Sequence, residues 1–572
     1  MDFLLISPPV ANIGQATAAL SVLTAHLRSR GWDAHQWDLG IEAFHYFHSV
    51  DHLRHCQSIV EQQAADAELR AAAARVVADI DEAKDALRCA GVERQPDRMS
   101  WAFATLRDAG ILLTAASRGS HEHDFRHFAI PRALASFEQL DHDIADRDCN
   151  PFVAYFEDHA LPRLEKQRPR AVGISISYAS QLVPALSLAR LIRQRLADTP
   201  IVLGGAYLTA LGDQVTTMPP AVASADAIIL HDGEQAIDAW LAAVLKEQGE
   251  LQAIANLHLV ADGEYRRVHQ GPYRQTDLDE LASPMWIADG LDLDQYLVPR
   301  YAIGLPLSRG CYWGRCVYCN ISSQTGGSYR CRSVPKAIAD IQAVMAETGS
   351  RWFDLPVDSF RPKDLRNLAV GICDAGLAIE WGAEVLFDKG FKDEVIADLA
   401  RSGCRSLRFG LESGSPATLR AMNKLSRPPV ARRILRACKA HGISTAVMFI
   451  AGFPSETRAA LQETVDFLVD NRASIDQLTV HPYSLVPGSA MARDPGSYGI
   501  FLQPSQAVML PNLPYGNTNP GGVPSGDIPR MIEVLRDALR DHFPDLGTLW
   551  SAAIGGWMTF PACCARSGAK DG

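Results

Sequence analysis

"SRGCYWGRCVYCN", residues 308–320, sets Cys311, Cys316 and Cys319 in one short loop of a chain whose other nine cysteines are scattered without pattern. The spacing is C-x4-C-x2-C, with Tyr312, Trp313 and Tyr318 interleaved. Structural zinc takes four protein ligands, usually as two spaced pairs of Cys or His. No second pair is near: Cys331 is alone, and the next downstream histidine is His441. Buried thiols without a metal are the plain alternative. An iron–sulfur cluster is a third reading, since three thiolates suffice when one iron is left open to another molecule.

On either side of the loop, strands alternate with helices. Downstream, helix 334–349 is followed by strand "RWFDLPVDSF", helix "KDLRNLAVGICDAG", strand "AIEWGAEV", helix "KDEVIADLARSG", strand "SLRFGLESG" and strand "STAVMFIAGFP", with further helices between. The pattern predicts about six βα units over 301–490, short of the eight of a closed barrel. Upstream, strands at 3–9, 33–39, 171–177, 200–205 and 226–233 alternate with helices at 17–31, 184–198 and 234–248, which predicts an α/β, doubly wound parallel sheet. Residues 43–165, rich in Ala, Asp and His, read as a helical insertion in it, and 251–300 as a connector. A Pro/Gly-rich tail with one helix, 491–572, completes the chain.

Composition narrows the function. The net charge of -11 and the absence of a basic stripe argue against nucleic acid. The most basic stretch, "RPPVARRILRACKAHG" (427–442), reads as an amphipathic helix with a solvated face. No apolar run reaches the ~18 residues of a membrane span, and "MDFLLISPPVANIG" lacks a basic start and a cleavage site, so a cytoplasmic location with reduced thiols is expected.

Parallel sheets bind ligands at the carboxyl ends of their strands. In the first sheet those ends read "SPP", "ISISYAS", "LGGAY" and "LHDGE", a permissive edge that suggests a cofactor platform.

The loop and the barrel together resemble the radical S-adenosylmethionine (SAM) superfamily. Its signature is C-x3-C-x2-C with an aromatic before the last cysteine; here Tyr318 and the second spacing agree, and one extra residue separates Cys311 from Cys316. "YRCRS" (329–333), "FGLESGSPATLRAMNK" (409–424) and "FIAGFPSET" (449–457) are similar to stretches of its members in the same order. The resemblance implies that Cys311, Cys316 and Cys319 hold a 4Fe-4S cluster, that SAM chelates its open iron, and that Tyr318, Asp354, Asp358, Glu412, Ser413 and Gly452 are SAM-binding candidates. A helix N-cap is the competing role for Ser413, and turn geometry for Gly452.

"LLISPP", "RGWDAHQWDL", "VGISISY", "IVLGGAY" and "ADAIILHDGEQAI" resemble the cobalamin-binding domain that precedes many such barrels. The implied architecture is an N-terminal Rossmann-like cobalamin-binding domain (1–42 and 166–250), a partial (βα)6 radical SAM barrel (301–490) and a small C-terminal region. Pro8, Ser175, Ser177, Tyr178, Gly204, Gly205, Ala206, Gly233 and Glu234 are the cobalamin-binding candidates. A lower-ligand histidine motif, D-x-H-x-x-G, is not present; "DAHQWD" (33–38) has Asp38 at the Gly position, and His35 reads as incidental.

The function implied is C-methylation of an unactivated carbon in a natural-product intermediate or precursor peptide, with a flavodoxin- or ferredoxin-like electron donor. Cyclisation or rearrangement without methyl transfer is the first alternative, and a non-catalytic cobalamin or metal sensor the second. No second three-cysteine set supports a methylthiotransferase. "HEHDFRHF" (121–128) reads as a solvated loop rather than a second metal site, and the adjacent Cys563 and Cys564 as surface thiols.

Overall fold

The computed structural model describes residues 1–543 except 11, 64–65, 93–94 and 289–290; Cys563 and Cys564 lie outside the described residues. The chain forms two compact units, Met1–Tyr301 with Gln506–Pro511, and the rest of the chain from Ala302.

The first unit is built on strands β1 (Phe3–Ser7), β2 (Ala34–Asp38), β3 (Ala171–Ser175), β4 (Ile201–Gly204) and β5 (Ala227–Ile229), all parallel, in the order β2-β1-β3-β4-β5. All but the edge strand β2 are mainly apolar runs because both faces are covered. Phe3, Leu5, Leu20, Leu27, Trp32 and Trp240 fill one core. Strand order reverses between β1 and β3, and such a switch point opens a crevice at the carboxyl edge.

Within the segment read as a connector, β6 (Leu257–Ala261) and β7 (Glu264–Arg267) extend this sheet in antiparallel fashion. Asp262 and Gly263 join them, both at positive φ (52° and 79°), as a two-residue hairpin requires.

The insertion is helical, with helices Val50–Gln62, Ala67–Arg88 and Pro96–Ala116. The stretch 121–128 is not a solvated loop. Glu122–His123 pairs with Phe128–Ala129, and His121 and His123 are buried. The His123 ring packs edge-on to Phe47 and Phe128. Burial holds the His121 imidazole down at about 4 and the neighbouring His48 at about 3.

The second unit is a six-stranded parallel sheet in sequence order: β8 (Ile303–Gly304), β9 (Trp352–Phe360), β10 (Glu380–Leu386), β11 (Cys404–Glu412), β12 (Ser444–Ala451) and β13 (Gln477–Pro482). It is the half-barrel that the six βα units imply. Helix Pro428–Ala440, which carries the basic stretch, buries Ile434, Leu435 and Cys438 and leaves Arg433 and Arg436 exposed. Helix Ile528–Arg540 seats Ile528 and Met531 over Gly452, where an added Cβ would lie 2.8 Å from Ile528 Cγ1.

Candidate functional sites at two carboxyl edges

In the second unit, a short ribbon of Ser308–Arg309 with Arg330–Cys331 closes the base of the cysteine loop. Gly310 starts it at φ 82°, where a Cβ would meet the Ser328 carbonyl at 2.2 Å, and its N–H donates to Asp358 Oδ2 at 2.8 Å. Cys311 bridges Ser359 at the end of β9. The extra residue is absorbed in a turn at Gly314 (φ 59°), whose carbonyl accepts from Ser322 Oγ at 2.9 Å. Asn423 locks the turn, with its carbonyl accepting from Trp313 Nε1 at 2.7 Å and its amide donating to Arg315 at 2.9 Å. Tyr312 donates to Asp388 Oδ2 at 3.0 Å. Both aromatics next to Cys311 therefore brace the loop with their polar atoms.

Burial raises the Cys316 thiol and pushes Cys319 up to about 12, against the pull of the Lys424 cation on both. The three sulfurs influence one another electrostatically, yet among the described residues they are not a set lying within 4.8 Å of one another. Tetrahedral zinc with Zn–S of ~2.3 Å would draw them to about 3.8 Å. The donor set fits a larger, multinuclear group of thiolate-ligated iron.

Beside the thiols lies a buried ion pair. Lys424 Nζ donates to Glu412 Oε1 at 2.7 Å and contacts Tyr318 Oη at 3.4 Å. Glu412 holds a left-handed backbone (φ 69°), and the β11–β12 register shifts there. Gly410 makes room for the pair, since a Cβ would stand 2.6 Å from Glu412 Oε1. His481 on β13, which no motif marked, also feels the Glu412 charge, although burial lowers its pKa overall.

Three of the SAM candidates are placed otherwise than at an open edge. Asp354 is the third residue of β9, inside the barrel, where Arg408 donates to it at 2.6 Å and also reaches Glu384 at 3.3 Å. Ser413 is fully buried, sharing a hydrogen bond with Thr464 Oγ1 at 3.0 Å and accepting from Ser415 N at 3.1 Å, so it supports the turn. Gly452 donates to Glu456 Oε2 at 2.9 Å and faces Ile528. Burial pushes the Glu456 carboxyl up to about 7, and its Oε1 has no hydrogen-bond partner.

In the first unit the carboxyl edge is mostly backbone and small side chains. Gln181, wholly buried, ties the switch point together: its Oε1 accepts from Ser177 N (2.7 Å) and Tyr178 N (3.1 Å), and its Nε2 donates to the Pro8 carbonyl (2.7 Å). Ser175 stands opposite Gly204 in register. Gly205 takes φ 114°, ψ 168°, a region only glycine occupies readily, with the Ile176 carbonyl 2.3 Å from where a Cβ would be. Ala206 is exposed and Tyr178 is 47% exposed. Gly233 precedes helix Glu234–Lys246, where a Cβ would make ordinary contact with Ile229 Cγ2 at 3.7 Å. Glu234, at the start of that helix, is buried and accepts from Thr276 Oγ1 at 3.3 Å. His35 contacts Asp33 at 2.8 Å, near the start of β2 and away from the edge. This open, largely uncharged ledge fits a broad planar ligand held by area and backbone contacts.

Residues 305–468 match the radical SAM superfamily model and residues 111–241 the B12 binding domain model. The chain carries a radical SAM domain and a B12-binding domain. The B12 match starts inside the segment read as an insertion. The chain is 28% identical over 362 residues to an uncharacterised methyltransferase of Pyrococcus horikoshii (63% of this chain, 76% of that one). It is 25% identical over 323 residues to the anaerobic magnesium-protoporphyrin IX monomethyl ester cyclase of Rubrivivax gelatinosus, covering 54% of this chain and 55% of the relative.

Among solved structures, it shares the fold of the radical SAM methyltransferase TsrM from Kitasatospora setae, with a TM-score of 0.54 at 15% identity over 88% of this chain and 81% of that one. It also shares the fold of the cobalamin-dependent radical SAM enzyme OxsB, with a TM-score of 0.62 at 13% identity over 94% and 66%. No helix among the described residues is long and apolar enough to cross a membrane.

Proposed function

We propose that this radical SAM protein is a cobalamin-dependent C-methyltransferase acting on an unactivated carbon of a small-molecule intermediate or precursor peptide. The observation that carries the reading is the three-thiol loop beside the Lys424–Glu412 pair, on a chain that also matches a B12-binding domain. Cys311, Cys316 and Cys319 would hold a 4Fe-4S cluster with one iron left for SAM. Bound together, cluster, SAM and cobalamin supply one-electron cleavage of SAM and carriage of a methyl group to carbon.

The residues supply position and charge. Lys424 offers a cation to a carboxylate and Glu412 an anion to an ammonium, which suits the zwitterionic end of an amino-acid-like cofactor. Tyr318 borders that pair, and Asp358 fixes the start of the loop through Gly310. Arg408, Asp354 and Ser413 are positioning residues beneath it. Pro8, Ser175, Ser177, Tyr178, Gly204, Gly205, Ala206 and Gly233 would receive the corrin at the ledge of the first unit. A flavodoxin- or ferredoxin-like protein would deliver the electron.

A second reading is cyclisation or rearrangement without methyl transfer, favoured by the likeness to the Rubrivivax cyclase. The test is anaerobic purification with a reconstituted cluster, followed by turnover with methyl-labelled SAM. Label in the product supports methyl transfer, and deoxyadenosine with an unlabelled product supports the cyclase. A chain that retains no cobalamin overturns both. SAM cleavage equally absent in the wild type and in Cys316→Ala points instead to a non-catalytic sensor.

A further inference from the structure

One face of the half-barrel carries charge of a single sign. The chain has 66 acidic residues against 55 basic ones, yet residues 295–339 and 413–455 contain no Asp or Glu. The two stretches meet at the outer turn of the cysteine loop, where Asn423 holds Trp313 and Arg315. Arg420 is tied to the same point, its carbonyl accepting from Asn423 N at 3.0 Å. Arg427 follows, and its Nη1 donates to the carbonyls of Lys424 at 2.6 Å and Ser426 at 2.8 Å.

Arg315, Arg420 and Arg427 are exposed, and among the described residues none of the three has a carboxylate partner. Elsewhere in the half-barrel, arginines that reach solvent are neutralised: Arg366 and Arg401 by Asp398, and Arg405 by Glu380. Trp313 adds a half-buried ring, with the Arg315 guanidinium carbon 5.3 Å from its centroid. Tryptophan and arginine are both enriched where proteins dock. The place matters as much as the charge. Arg315 directly precedes Cys316, so a partner seated here stands one residue from a thiol of the loop.

We propose that Arg315, Arg420 and Arg427, with Trp313, dock the acidic redox protein that delivers the electron. The inference rests on the reading of Cys311, Cys316 and Cys319 as ligands of a 4Fe-4S cluster, and adds where the donor sits and what holds it. One electron leaves the donor's reduced flavin, which is oxidised, and reaches the cluster, which is reduced; no bond to this chain forms or breaks. At physiological ionic strength charges are screened beyond ~8 Å. A carboxylate-rich face of the patch's own size therefore feels the three guanidinium groups and not the chain's net charge of -11. A nucleic acid is long enough to overrun the patch and meet the surrounding negative charge, which disfavours it. Complementary charge of this kind speeds encounter and fixes orientation more than it adds affinity.

The test uses the full chain with its cluster reconstituted and, as probe, a flavodoxin. Two quantities are measured anaerobically: flavodoxin affinity by calorimetry, and the rate at which reduced flavodoxin reduces the cluster, by freeze-quench electron paramagnetic resonance. Dithionite, a small reductant that needs no docking, is run beside it. Arg420→Glu should weaken binding and slow the transfer ~10-fold or more and make both less sensitive to salt, with Arg420→Gln in between and the dithionite rate at the wild-type level. Arg70→Glu, the same change of net charge at an exposed position of helix Ala67–Arg88, should alter neither quantity. Unchanged binding in Arg420→Glu, an equal loss in Arg70→Glu, or a dithionite rate that falls in step would overturn the proposal. So would a loss of tRNA binding in Arg420→Glu with flavodoxin transfer intact. A chain that holds no iron–sulfur cluster overturns docking together with the reading it rests on. Reduction that depends on Arg420, with no methyl reaching a product, supports docking and overturns only the methyltransferase.

Discussion

The carboxyl edges of the two parallel sheets do the same topological job with opposite materials. In the first unit the edge is glycine, serine, proline and main chain, organised by one buried amide, Gln181. In the half-barrel it is three thiols, a buried Lys424–Glu412 pair and the carboxyls of Asp358 and Glu456. A broad neutral surface suits a large ligand bound by contact area. A compact charged one suits a small zwitterion and a metal cluster, for which each charge must have a partner before the ligand arrives.

The sharpest way to break this contrast is to delete from one edge and read both. Cys316→Ala should abolish iron loading and SAM cleavage while cobalamin retention stays at the wild-type level; joint loss would make the two edges one site. Lys424→Met strands the Glu412 carboxylate in the interior. It should cost about 3–5 kcal/mol in denaturant unfolding of the half-barrel, and an effect under ~1 kcal/mol would show that the pair is not buried in solution.

At the neutral edge, Gly205→Ala forces a Cβ onto the Ile176 carbonyl at a backbone angle reserved for glycine. About 1–3 kcal/mol of destabilisation with reduced cobalamin content is expected, and unchanged iron. A further effect concerns pH. Glu456 has its folded pKa raised from 4.5 to about 7, so the folded chain keeps a proton that the unfolded chain releases between those values. Stability of the half-barrel therefore falls as pH rises through that window. Glu456→Gln should flatten the fall by about 3 kcal/mol at pH 8, as read by unfolding midpoints at pH 5 and pH 8.

The charged edge was the more legible of the two. Cys311, Cys316 and Cys319 announce themselves by spacing, and Glu412 by its place at a strand end, because such chemistry needs particular residue types. Lys424 and Asn423 lay in a quoted motif without their roles being visible, since the ion pair and the loop lock are made across a fold and not along the chain. Gln181 gave no signal at all. Its importance comes from burial between two strand ends, which a helix-start glutamine does not advertise.

The hairpin β6–β7 did leave a mark: Asp262-Gly263 is the two-residue turn signal, overlooked inside a connector. His121 and His123 left a misleading one. A polar run in two-residue strands has no periodicity to read, and Phe47 and Phe152, brought in from elsewhere in the chain, pack with Phe128 around the buried His123. Asp354 shows what the sequence leaves open, because a carboxylate on a barrel strand is as well suited to neutralising a buried arginine as to meeting a ligand.

Helix Ile528–Arg540 covers Gly452, 79 residues further along the chain from it to Met531. During synthesis the end of β12 is therefore made long before its cover. At ~5–20 residues per second, the ribosome leaves this apolar strand end bare for roughly 4–16 s. That interval is when a chaperone would bind a nascent chain of this kind, and when cofactors would find the half-barrel most open.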